Sequence, residues 1–395
     1  MADYPNGSEK LVKRLAAVAV DPRRWPKALL GLLRLMYWPI RRLFIRTCAY
    51  GSYLRGRARS RTDFIEERWR GLQDLSAASR VAVFNHYDPR GVLHDFVADY
   101  VRQLTEAGFT TIFVSNSPSL PRETIDRLLP SCALLLRRAN IGYDFGALKD
   151  GIAQIPRLDR IDALLLANDS VYGPFHALRD IVVSMDNSAD VWGITDCWEQ
   201  RYHLQSFFLL FGRPALQSPA FARFWSRVAY VQSKDWIIEQ YEIGLTRALM
   251  AAGLRCRALY PYRQVATALL EAVRGGKLLQ AEGLDQNQMN HIRLLYDLVR
   301  RDAPLNSTHY FWDYLIECMG CPFLKRELLR DNPMGIPFVQ HWEKVVRSAS
   351  AYDTGLIARH LEATLDGRAV PDPAPAGSQP RPWYALEPRR ASIDE

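Results

Sequence analysis

Three short apolar runs in the first half of the chain each end in a cluster of side chains able to do chemistry. Residues 80–84 (RVAVF) lead into Asn85-His86-Tyr87-Asp88, residues 110–114 into Ser115-Asn116-Ser117, and residues 163–167 (ALLLA) into Asn168-Asp169-Ser170. Between the second and third lies a segment with three glycines, NIGYDFGALKDG, from Asn140 through Gly142 to Gly151. Glycines let a backbone approach a ligand closely, and a helix that follows offers free N–H groups to an anion. Close packing alone also calls for glycines before a helix, so both readings stand. A carboxylate at Asp169 can hold Mg²⁺ or Mn²⁺ against a diphosphate and so neutralise charge on a leaving group. The same residue can instead close an Asx-turn or cap a helix. No G-x-x-x-x-G-K-[ST] occurs, which excludes a P-loop kinase.

The elements that must position these clusters can be read from hydrophobic spacing. The runs at 80–84, 110–114, 133–137 and 163–167 are predicted strands, and residues 92–107 a helix with Val97, Val101 and Leu104 on one face. Helices are also expected over 123–129 and 147–155. Strand–helix–strand alternation implies a mostly parallel sheet covered on both faces. Ligands of such sheets bind beyond the carboxyl ends of the strands, where the polar clusters fall. Further strands are expected at 191–195, 206–211 and 255–259, with helices at 221–228 and 236–252 and a mainly helical stretch over 285–345.

Several motifs in register resemble the rhamnan synthesis protein F family: residues 140–151, 168–175 (NDSVYGPF), 192–196 (WGITD), 203–208 (HLQSFF), 306–312 (NSTHYFW) and 322–333 (PFLKRELLRDNP). The resemblance covers roughly residues 80–335, and through it the chain is distantly similar to glycosyltransferase family 2, which has the GT-A fold. It implies a GT-A-like mostly parallel sheet flanked by helices, a nucleotide-sugar donor with dTDP-rhamnose favoured, and a role in rhamnose-containing O-antigen or cell-wall polysaccharide. Asn140-x-Gly142 then corresponds to a family 2 turn, and Asn168-Asp169-Ser170 stands where family 2 usually has Asp-x-Asp, leaving Asp169 as the acidic ligand. Lys149 can supply positive charge in its place. The layout around Tyr241-Glu242, with Arg247 and Gly253, resembles the family 2 base helix and points to Glu242, then Glu239, as the general base. An exposed glutamate paired with a cation is an equal reading of Glu242. Asp144 is expected at a ribose or sugar hydroxyl, Asn116 at a pyrimidine base, His203 and Gln205 at acceptor or sugar, and His309 as a second metal ligand. A satisfied structural role competes with each of these. Inversion is the expected outcome, and a non-catalytic GT-A-like assembly subunit is the alternative.

Charge is unevenly placed. Residues 1–75 hold 16 Lys/Arg against 7 Asp/Glu, so their net of +9 exceeds the +8 of the whole chain. A nearly neutral body argues against nucleic acid as a partner. Residues 25–46 read as a basic amphipathic helix, interrupted by Pro39 and too short in apolar run to span a bilayer. Lys27, Arg34 and Arg41 lie seven apart beside an apolar surface, as in helices that rest on anionic lipid; packing on the domain is the competing reading. The expected location is peripheral, on the cytoplasmic face of a bacterial inner membrane, with a polyprenyl-diphosphate-linked glycan as acceptor. The start is polar with no leader pattern, so scattered cysteines are expected reduced. Cys318-Met-Gly-Cys321 reads as two small thiols near a helix end rather than a metal site. The expected organisation is a membrane-apposed segment over 1–77, a GT-A-like domain over 78–265, a helical region over 266–345, and a Pro-rich, partly disordered tail over 346–395.

Overall fold

The computed structural model describes residues 47, 50–56, 64–274 and 286–374. Its centre is a nine-stranded sheet in the order β1(Ile65–Arg70), β4(Leu134–Arg138), β3(Thr110–Ser115), β2(Arg80–His86), β5(Ala163–Asn168), β9(Phe208–Gly212), β7(Val191–Cys197), β10(Cys256–Tyr260), with β8(His203–Leu204) paired to β7. Strands β4, β3, β2 and β5 are mutually parallel, as are β7 and β10, while β9 runs antiparallel between β5 and β7. The architecture is therefore the expected mostly parallel sheet flanked by helices, with a helical C-terminal region. The carboxyl ends of six strands share one edge, and β9 begins at that edge.

Alternation along the central strands divides the interior into two layers. Ala82, Phe84, Phe113, Leu135 and Leu165 face the helix Asp95–Glu106, which buries Phe96, Val97, Tyr100, Val101 and Leu104 against them. Val81, Val83, Ile112, Val114 and Leu166 face the helix Tyr143–Ile152, along with Phe221, Trp225 and Leu249. Being covered on both faces explains why these strands read as continuous apolar runs.

Several boundaries differ from expectation. Strand β1 lies inside the stretch assigned to the N-terminal segment, yet it adds antiparallel to β4 and closes the sheet edge. Its sequence, IEERWR, suits an edge strand: Ile65 and Trp69 are half-buried, one against each core layer, and the charged residues are exposed. Residues 50–56 are helical, and Tyr53 lies 5.1 Å, ring to ring, from Trp236. The amphipathic stretch 25–46 lies outside the described residues. Among the described residues no helix is long and apolar enough to cross a membrane.

The C-terminal helices share the first layer's core, through Leu295, Trp312, Val346 and Leu361. The helix Gly355–Leu365 falls within the expected tail, but it buries Ile357, His360 and Leu361. His360 Nδ1 lies 2.8 Å from the Tyr172 hydroxyl, so this part of the tail is integral. The short strand β11(Leu324–Lys325) pairs antiparallel with β6(Val171–Tyr172), bringing the PFLKR segment back to the end of β5. Cys318 is the C-cap of the helix Trp312–Glu317, and Cys321, three residues on, is buried.

Candidate active site

The Gly-rich turn follows β4. Gly142 is the helix N-cap at φ 83°, and Tyr143 is held at φ 49°, a left-handed conformation that costs a residue with a Cβ about 1–3 kcal/mol. Two contacts overdetermine the turn. Asn116 Nδ2 donates to the Tyr143 carbonyl at 3.3 Å. Beneath it, the fully buried Arg138 donates to Asp150 at 2.7 Å, to Asn116 Oδ1 at 2.8 Å and to the Ile141 carbonyl at 2.9 Å. Tyr230 donates its hydroxyl to the other Asp150 oxygen. Gly151 is needed for packing: a Cβ there would lie 2.4 Å from Val83 Cγ1.

At the carboxyl edge this turn borders a cavity of about 370 Å³. Asn168 and Ser170 at the end of β5, Cys197 at the end of β7, His203 in β8 and Ser206-Phe207 before β9 form its floor. Asp144, Glu242, His309, Lys325 and Glu327 reach in from the surrounding elements. A roomier cleft of about 530 Å³ lies at the opposite, amino edge beside Arg80, Asp162 and Trp192, but it gathers none of the expected residues.

Glu242 ends a π-helical turn, Ile237–Glu242, which interrupts the expected helix. Such turns shift the side-chain register, and here Tyr241 enters the core while Glu242 faces the cavity. Both the Ser206 amide and the Ser206 hydroxyl donate to Glu242 Oε1 at 2.9 Å. Asp144 is pushed above its ordinary range, mainly by burial and then by the nearby charges of Glu242 and Asp169. Burial likewise raises Glu199. His309 is pushed down to about 4, chiefly by burial, and its buried Nε2 has no hydrogen-bond partner among the described residues. His203 donates from Nδ1 to the Arg201 carbonyl at 2.8 Å, which leaves Nε2 an acceptor. Gln205 accepts from Thr195 at 2.5 Å and donates to Asn306 at 3.3 Å.

The structure thus brings together Asp144, Asn168, His203, Gln205, Glu242 and His309. It does not bring in the others. Asn116 is spent on Arg138 and the Tyr143 carbonyl. Asn140 lies outside the lining, and its carbonyl accepts from Gln232 at 2.8 Å. Gly142 shapes the turn, and its nearest neighbour is the Tyr230 backbone. Lys149 turns away to the Val228 carbonyl and lies 5.3 Å from the centre of the Tyr230 ring. Glu239 is exposed and outside the cavity lining.

Asp169 is the main correction. Along the strand end Asn168 and Ser170 face the cavity, and Asp169, between them, faces the other way. Its carboxylate forms a 2.8 Å ion pair with Arg326. The Asx-turn considered for Asp169 is made by Asn168, whose Oδ1 accepts from the Ser170 amide and hydroxyl. Asp169 and His309 are therefore not arranged as a metal pair. No group of three or more His, Cys, Asp or Glu side chains among the described residues could hold a metal ion. The residues present do not fit a divalent cation between Asp169 and His309.

Sequence reasoning missed Lys325, Glu327, Glu199 and Asn306. The first two lie in PFLKRELLRDNP and the last in NSTHYFW, motifs that were visible but carried no assigned chemistry.

The rhamnan synthesis protein F family model matches residues 111–272. Virulence protein VirA of Vibrio anguillarum is 30% identical over 215 residues, covering 53% of this chain and 66% of its own length. A Sinorhizobium fredii protein, y4gN, is 30% identical over 186 residues, covering 46% of this chain and 48% of its own. The chain thus spans just under two thirds of the first relative and about half of the second. Among solved structures, a putative nucleotide-diphospho-sugar transferase from Desulfovibrio desulfuricans G20 aligns over 57% of this chain and 99% of its own, at 11% identity and a TM-score of 0.28. The stretch that is similar to the rhamnan synthesis protein F family, residues 111–272, runs from β3 through β10.

Proposed function

We propose that this chain is a polysaccharide glycosyltransferase that moves a sugar from a nucleotide-sugar donor to a lipid-linked glycan. The carrying observation is the carboxyl-edge cavity, where Glu242, fixed by two donors from Ser206, stands near Asp144. A carboxylate fixed in this way suits a general base. It takes the proton of an acceptor hydroxyl, whose oxygen attacks the anomeric carbon from the face opposite the diphosphate. The bond to the nucleoside diphosphate breaks, and the configuration inverts. Asp144, raised by burial, is suited to a hydrogen bond with a sugar hydroxyl. His203, Gln205 and Asn168 offer further polar contacts to the sugars.

The family match supports rhamnose as the sugar, with dTDP-rhamnose as donor and a polyprenyl-diphosphate-linked O-antigen or cell-wall glycan as acceptor. The net +9 of residues 1–75 supports a peripheral position on the anionic cytoplasmic face of a bacterial inner membrane. One observation favours a second reading, a non-catalytic assembly subunit: the acidic residue of the motif at 168–170 is committed to Arg326.

Sugar-nucleotide turnover separates the two. The transferase reading expects transfer or slow hydrolysis of dTDP-rhamnose, falling about 10²–10⁴-fold in Glu242→Gln. The fold should be kept, because the amide oxygen still accepts from Ser206. No turnover at high enzyme concentration, with the fold intact and acceptor present, would favour the subunit.

A further inference from the structure

The PFLKRELLRDNP motif returns to the carboxyl edge through the β11–β6 pairing, and it delivers two adjacent cations there. Lys325 ends β11 and Arg326 opens the helix Arg326–Arg330, so the two side chains leave the chain where it turns. Arg326 turns to Asp169, whose carboxylate it pairs at 2.8 Å, and its guanidinium lies 5.5 Å from the centre of the Phe96 ring. Lys325 turns into the cavity, where its ammonium lies 4.4 Å from the centre of the Phe207 ring. Resting on the donor proposal above, we propose that Lys325 meets the donor's diphosphate and that Arg326 holds the Asp169 carboxylate, so that donor binding needs no divalent ion.

Three observations lead there. The carboxylate expected to carry the metal faces away from the cavity and already has a cation. Lys325 lines the same cavity as Asn168 and Ser170, the polar residues at the end of β5. Burial pulls the Lys325 ammonium below the ordinary lysine range, and the nearby Glu242, Glu327 and Asp144 act against this by favouring the charged form. An ammonium supplies up to three donors to those oxygens without demanding the fixed geometry of a metal shell. Lys325 would act where charge develops as the sugar–phosphate bond breaks, the role of a preorganised cation in phosphate departure. Arg326 is a positioning residue, since its pair with Asp169 fixes the register of β11 and so the place of Lys325.

Calorimetric titration of dTDP and UDP into the full chain tests this, in chelator and in Mn²⁺. The expected dissociation constants agree within about twofold between the two conditions. Lys325→Met should weaken binding by about tenfold or more, and Lys325→Arg should restore most of it, as loss and recovery of a charge-assisted contact predict. Thermal midpoints of both variants identify any that fail to fold, and the arginine variant keeps the test decisive in that case. Tightening of more than about tenfold by Mn²⁺ in the unmodified protein, or full affinity in a folded Lys325→Met, would overturn the proposal and leave the donor reading standing. Absence of binding in every condition would overturn both.

Discussion

Replacing Asp150 by alanine tests the buried network that holds the Gly-rich turn. Arg138 has no exposed side-chain surface, and Asp150 is 10% exposed. The substitution leaves a guanidinium in the interior with two neutral acceptors, Asn116 and the Ile141 carbonyl, and leaves the Tyr230 hydroxyl without its acceptor. Removing one partner of a buried ion pair costs about 3–5 kcal/mol, because the remaining charge is uncompensated. Some water can reach Asp150, so the lower end of that range, about 3 kcal/mol, is expected. Replacing both residues by Met and Leu removes the stranded charge, and should cost well below the sum of the two single changes. Urea unfolding followed by tryptophan fluorescence reads the effect as a lowered midpoint at unchanged slope. A loss below about 1 kcal/mol for Asp150→Ala, or strict additivity in the double variant, would refute the idea that this pair carries the turn.

Gly151→Ala should destabilise by about 1–3 kcal/mol through overpacking, since the new methyl would lie 2.4 Å from Val83 Cγ1 and 3.0 Å from Val114 Cγ2; an unchanged thermal midpoint would count against this packing. The buried histidines predict an acid-sensitive fold. His360 and His309 are held below the usual histidine range, chiefly by burial, with Arg326 and His94 adding to the effect at His360. The unfolded chain therefore takes up protons first, so their contribution is fully present above about pH 6.5 and lost as pH falls below it, at up to about 1.4 kcal/mol per pH unit for each group. Unfolding free energies between pH 6.5 and 4.5 should show a shallower slope in His360→Leu than in the unmodified protein, and equal slopes would contradict the assignment.

The sheet was legible because its strands are buried on both faces, which leaves runs such as ALLLA that no exposed element carries. The edge strand β1 was not, since IEERWR has only Ile65 and Trp69 half-buried and its exposed charges pointed to a surface segment. The helix Gly355–Leu365 was missed for a different reason. The Pro-rich sequence beyond it dominates the composition, whereas the helix is held by distant contacts such as His360 on Tyr172. Within the cavity, Asp144 was selected from its place in the glycine turn, and Glu242 from the resemblance of its surroundings to the family 2 base helix. Asp169 could not be oriented from its strand alone, because one residue of register decides which face a side chain takes. The cation it meets, Arg326, lies 157 residues further along the chain.

The sequence by itself determined the strand–helix alternation, the carboxyl edge where polar clusters gather, and the motif series matched by the family over residues 111–272. These depend on local periodicity and turn chemistry, which act over a few residues. Only the tertiary structure decided which charges meet. It turned Asp169 towards Arg326, carried Lys325 into the cavity, and buried Arg138 on Asp150. Ion pairs form between groups brought together by long-range packing, and their separation in sequence says nothing of their separation in space.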